Sequence, residues 1–175
     1  MPKNTYVQIA SVTTTSSVSS VTFTSISGSY TDLVLVGVGY NTAADGYSPR
    51  AIFNSDTGTN YSLIYLGGTG STASSGIGIN RANIPFPWLT GWDTDSAQTG
   101  MFIAQFMNYS NTTTYKTIIN RASQALGSYP GAEGSIASWR NTSAITSIMI
   151  IGDTAQSQTF APYSTFTLYG IHGVI

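Results

Sequence analysis

The sequence predicts an all-β chain, an antiparallel, jelly-roll-like β-sandwich of about eight to ten strands. Three observations carry this. No segment longer than ten residues repeats its apolar positions with a 3.6-residue period, so no amphipathic helix is specified. The apolar residues, rich in Val, Ile, Phe and Tyr, fall in short runs separated by turns of Ser, Thr, Asn and Gly. Finally, 24 Ser and 25 Thr stand against six basic and seven acidic side chains. A chain that is 7% charged and 41% hydrophobic is unlike a disordered one. It suits an uncharged, hydroxyl-coated β protein.

Each strand has its own justification. Thr5 to Thr13 alternates, with Tyr6, Gln8 and Ala10 on one side, and Thr14 to Ser17 is a polar turn. Val18 to Ile26 places Val21 and Phe23 on one face, and Ser27-Gly28-Ser29 ends it. Asp32 to Tyr40 is apolar or Gly on both faces, which marks a central strand. Pro49 to Phe53 and Tyr61 to Leu66 flank the loop Asn54 to Asn60, across which Phe53 and Tyr61 can pair. Gly67 to Gly78 is low in complexity and reads as a long turn or mobile surface loop. Pro85 and Pro87 bar a central ladder within Asn83 to Asp95. Met101 to Tyr109, Tyr115 to Arg121, Ser135 to Trp139, Ala144 to Ile151 and Thr165 to Ile171 complete the set, with Ser123 to Glu133 irregular. No internal boundary interrupts the pattern. The expectation is one domain over 1–175, with room for a short N-terminal arm at 1–5.

Composition narrows the function classes. The chain has no Cys, which removes disulfides, thiolate metal sites and thiol catalysis together. Lys3, Arg50, Arg81, Lys116, Arg121 and Arg140 are scattered, so no run can neutralise adjacent phosphates and no nucleic-acid partner is expected. The N-terminus lacks the apolar stretch of a secretory signal, and no run approaches the length of a membrane helix, so no membrane partner is expected.

Candidate sites are few. Asn54, Asp56, Gly58 and Asn60 begin a calcium-loop spacing, but the later ligand positions fail. A hairpin turn is expected there instead, with Asx side chains bonding their own backbone and Gly58 at positive φ. Asp93 and Asp95 lack a third ligand nearby, and no metal or other cofactor is expected. His172 is the single His and lies in an apolar terminal strand without a nucleophile motif around it. Glu133 could pair with an Asp only in the sense that any protein with seven acids offers such a pair. No catalytic residue is assigned, and the chain is not expected to be an enzyme. Acceptor patterns for glycans at Asn60, Asn108, Asn111 and Asn141 are expected by chance in so hydroxyl-rich a sequence. The aromatics Phe86, Trp88, Trp92 and Trp139 carry more weight. They stand as core residues, as a protein interface or as a sugar-stacking platform, and Tyr109 shares the ambiguity.

Three stretches carry a resemblance. They are Val21-Thr22-Phe23 with Ser25-Ile26 and Tyr30 to Leu35, the loop Phe53 to Ser62, and Ala144 to Ile148 with the closing Ser164 to Ile171. Together they resemble a family of small virion proteins of tailed bacteriophages, including cyanophages, over nearly the whole chain. The resemblance implies a β-sandwich assembled on the particle, with no catalytic motif. Its role would be a capsid decoration (cement) protein stabilising contacts between major capsid proteins. The alternative is a tail- or fibre-associated module that binds a receptor or glycan. The expected partners are copies of itself, as a homotrimer, and the major capsid protein or other virion proteins. The expected location is the virion, at the capsid surface, after assembly in the host bacterial cytoplasm.

Overall fold

In the computed structural model, residues 5–42, 48–86, 99–124, 131–152 and 158–173 are described. They form twelve strands and no helix: β1 (Tyr6–Thr13), β2 (Ser20–Phe23), β3 (Asp32–Gly39), β4 (Arg50–Phe53), β5 (Tyr61–Gly68), β6 (Ala73–Arg81), β7 (Ile84–Pro85), β8 (Gly100–Met107), β9 (Lys116–Gln124), β10 (Gly131–Trp139), β11 (Ile148–Ile151) and β12 (Thr165–Ile171). Eight of them make one sheet in the order β1-β12-β3-β8-β9-β10-β5-β6, and four make a second in the order β2-β11-β4-β7. All pairings are antiparallel. Consecutive strands stay in one sheet only at β5-β6, β8-β9 and β9-β10. Every other connection crosses between the sheets, so the chain itself laces the two layers together.

The core between them follows from strand alternation. From the large sheet come Leu33, Leu35, Leu63, Phe102, Ala104, Phe106, Ile118, Phe166 and Leu168; from the small one come Val21, Phe23, Ala51, Phe53, Ile148 and Ile150. In β3, Gly37 stands opposite Phe102 of β8, and a Cβ there would run into that ring. The glycine therefore makes room for the largest side chain of its neighbour. As expected of a strand with two apolar faces, β3 lies inside the large sheet, between β12 and β8.

Two segments differ from the sequence expectation. Gly67 to Gly78 is not a long loop: it closes the β5-β6 hairpin, with a tight turn in which Thr69 N donates to Thr72 O at 3.0 Å and Gly70 has φ of 89°. Small residues carry little strand propensity, but Gly76 and Gly78 sit opposite Tyr65 and Leu63, whose side chains lie over them. Pairing with a strong neighbour outweighs local propensity here. Similarly, Ser123 to Glu133 is not irregular throughout, because β9 runs on to Gln124 and β10 already begins at Gly131. These additions, with the two-residue β7, raise the strand count above the expected range. β7 contains Pro85 and sits at the edge of the small sheet, where a missing N–H costs nothing.

Only Ile148–Ile151 of the Ala144 to Ile151 segment is a strand. The residues before it are held by one side chain. Asn54 Nδ2 donates to Ala144 O at 2.7 Å, and its Oδ1 accepts from Thr146 N at 2.9 Å and Ser147 N at 3.0 Å.

Candidate interaction surface

The loop at 54–60 is built as a crossover between sheets rather than as a hairpin. β4 belongs to the small sheet and β5 to the large one, so Phe53 and Tyr61 do not pair as strand residues. Their side chains do meet: the rings are 5.7 Å apart, and Phe53 N donates to Tyr61 Oη at 3.0 Å. The left-handed residues are Asn54 and Ser55, at φ of 50° and 57°, and Gly58 is not among the positive-φ glycines. The expected Asx turn is present, with Gly58 N donating to Asp56 Oδ1 at 2.9 Å. Asp56 Oδ2 accepts from Trp139 Nε1 at 2.7 Å and from Asn60 Nδ2 at 2.9 Å. Asn54 turns toward 144–147 and Asp56 toward Trp139, so the side chains of the calcium-like spacing diverge into structural bonds. No cluster of three or more His, Asp or Glu that could hold a metal ion occurs among the described residues.

Two of the four singled-out aromatics are core residues. Phe86 and Trp139 have no accessible surface. Phe86 packs on Phe102 at 5.3 Å, and Trp139 stacks on Tyr61 at 6.4 Å and meets Phe53 edge-on at 5.6 Å. Neither is a surface contact for a sugar or a partner on this fold. Tyr109 is likewise buried and donates its hydroxyl to Ser27 O. Trp88 and Trp92, with Asp93 and Asp95, lie outside the described residues. His172 follows β12 rather than lying within it; its ring packs on Tyr30 at 4.9 Å. Glu133 points inward from β10 and is buried.

The surface feature that stands out lies elsewhere, on the outer face of the large sheet. Alternation and register together define it. Ile136 of β10 pairs with Ile119 of β9 on one side and Ile64 of β5 on the other, and Ile64 pairs with Ile77 of β6. Four isoleucines therefore stand side by side across four strands. Leu66 adjoins this row, and Ile79 extends it along β6. All are exposed: Ile77 by 70%, Leu66 by 67%, Ile64 by 57%, Ile136 by 54% and Ile119 by 42%. The four isoleucines of the row and Leu66 line a shallow groove whose one charged lining residue is Arg121. Beside Arg121, Gly134 leaves the groove floor bare, since a Cβ there would meet nothing within 4 Å.

The far edge of the same face, on β1 and β12, carries paired hydroxyls. Ser11 and Thr167 hydroxyls lie 2.8 Å apart and those of Thr13 and Thr165 3.0 Å apart, bridging β1 and β12. Serine and threonine thus satisfy one another across strands. Between these hydroxyl pairs and the isoleucine row, Val38 and Met101 are also exposed on the same face.

The sequence reading missed the apolar row, although its signal is present. Leu63-Ile64, Ile118-Ile119 and Ile136-Ala137 are adjacent apolar pairs inside strands, the same two-faced pattern that marked β3. Adjacent residues point to opposite faces, so one member of each pair must face away from the core.

Comparisons with known proteins assign no family: no family model and no curated protein matches the chain. Among solved structures, similarity extends to a marine PL-14 alginate lyase from Aplysia kurodai, at 9% identity and a TM-score of 0.33 over 83% of this chain and 70% of that one. It extends also to a mutant of the alginate lyase Aly36B in complex with an alginate tetrasaccharide, at 12% identity and a TM-score of 0.32 over 95% and 71%. Likeness at this level carries no argument about activity.

Proposed function

We propose that this chain is a structural subunit of a tailed-phage virion, a capsid decoration (cement) protein that acts through protein contact rather than through chemistry. The observation that carries this reading is the apolar patch on the outer face of the large sheet. Six aliphatic residues there, each 42–70% exposed, adjoin across four strands and make a contiguous apolar patch of several hundred Å². The largest apolar patch on a typical monomer is about 300–600 Å². A patch of that size marks a surface that meets another protein, a membrane or a ligand, and the first is the reading taken here. A near-neutral chain adds to the argument, because apposing it to a lattice requires little desolvation of charge. The resemblance to small virion proteins supplies the particle; the face supplies a surface for protein contact within the assembly. The glycan-binding alternative rests on a groove lined by Trp88 or Trp92, which lie outside the described residues; Phe86 and Trp139 are core residues and serve neither contact.

Particle cryo-microscopy with quantitative mass spectrometry of purified virions tests the reading. The expected result is density for this sandwich over contacts between major capsid proteins, at a copy number set by the capsid lattice. Finding the protein at the tail alone, or not on particles at all, rejects capsid decoration.

A further inference from the structure

The geometry points to a second copy of this chain as the occupant of the apolar patch, paired across a two-fold axis, sheet on sheet. The inference rests on reading that face as a protein contact and goes on to name the partner and the arrangement.

Area is the first argument. A stable, specific interface buries about 800 Å² on each partner. The exposed aliphatic residues of β5, β6, β9 and β10 supply a contiguous centre for such an interface, and the rim around them supplies the remainder. Shape is the second. Two sheets pack face to face at about 10 Å by interdigitating aliphatic side chains. The row Ile119-Ile136-Ile64-Ile77 supplies a ridge, and Gly134, between Arg121 and Leu66 in the next row, leaves a gap one residue wide beside it. A two-fold brings the patch against itself, so that one side chain of each row can enter the gap of the other copy. Charge is the third. Arg121 is the one charged side chain lining the groove, and its long stem can lie along apolar surface while the guanidinium reaches the wet rim. The net charge of −1 opposes association only weakly.

A two-fold contact implies an even number of copies. A trimer built through other surfaces leaves this face uncovered, so a trimeric arrangement would have to double through it.

The test uses the full chain, purified without particles, by light scattering after size exclusion and by sedimentation up to about 100 µM. Two substitutions place a carboxylate in the patch: Gly134→Glu, whose side chain enters open space, and Ile136→Asp. Thr22→Glu, on the outer face of the small sheet, is the control. Far-UV circular dichroism and the thermal midpoint report folding, and Gly134→Glu decides the matter if Ile136→Asp fails to fold. The expected result is an even-numbered species that both patch variants weaken at least about tenfold and the control leaves unchanged. A monomer throughout, a purely odd-numbered species, or patch variants that keep the wild-type mass overturn the inference. The outcome is separable from the virion reading. A solution monomer found on capsids defeats only the inference, and a face-dependent dimer absent from particles defeats only the virion reading.

Discussion

Asp56 is the residue on which the crossover loop depends. Its carboxylate accepts from the Trp139 indole, the Asn60 amide and the Gly58 backbone, and its carbonyl accepts from the Tyr61 hydroxyl at 2.8 Å. Burial alone would raise the Asp56 pKa. The hydrogen bonds from Trp139, Asn60, Gly58 and Asn141 outweigh it and hold the carboxyl below its usual value of 3.8. A depressed folded-state pKa contributes stability that is fully present above the unfolded value and is lost as pH falls through the folded one. Asp56→Ala leaves the Trp139 N–H without its acceptor inside the fold and should destabilise the chain by about 2–3 kcal/mol at neutral pH. Trp139→Phe should cost a similar amount, and the two losses should not add. Urea unfolding at neutral pH and at about pH 3 checks this. The Asp56→Ala penalty should shrink in acid, and a penalty independent of pH would refute the role given to the carboxylate.

At the scale of elements, Lys116 shows how β9 is anchored. It opens the strand facing inward, is 1% exposed, and donates from Nζ to Thr114 O at 2.8 Å and to Thr142 O at 3.0 Å. One ammonium thereby ties the turn before β9 to the segment after β10. Burial pushes its pKa below the usual 10.5. The unfolded chain therefore binds more protons than the native one between the folded value and 10.5, and stability rises with pH across that window. Lys116→Met removes both the two bonds and the proton linkage. Relative to this variant, wild type should gain stability as pH rises toward 10.5, read from denaturant midpoints at each pH. A constant or falling difference would show that the buried ammonium carries no such penalty. The hairpin of β5 and β6 makes a related point about elements. Its Gly- and Ser-rich second strand is held by its pairing to β5, and a propensity scale read along the chain cannot register a partner.

Across the whole molecule, the lacing of the sheets predicts a single cooperative transition. Phe53 from the small sheet meets Phe106, Tyr61 and Trp139 from the large one, with ring centroids 5.5–5.7 Å apart. Losing either sheet would expose the core of the other. Near-UV and far-UV circular dichroism should therefore report the same denaturant midpoint, and separated midpoints would show that one sheet survives the other. At this scale the sequence was informative about class and about most strand positions. Alternation with period two and Gly/Asn/Ser punctuation are local properties, written in consecutive residues. It was silent about the interaction face for a physical reason. In Leu63-Ile64, Ile118-Ile119 and Ile136-Ala137 either face is apolar, and nothing local says which one the second sheet will cover.

The division of labour follows from that. By itself the sequence determined an all-β chain, the scarcity of charge, the absence of thiols and the central position of β3, because each depends on residue type and short-range periodicity. Only the tertiary structure decided the rest. It placed Phe86 and Trp139 in the core, turned Asp56 and Asn54 into structural acceptors, and drew Ala73–Arg81 into a strand. It also left a row of isoleucines facing water. Those outcomes depend on which residues far apart in sequence come to lie against one another, and burial is settled by that neighbour rather than by the side chain alone.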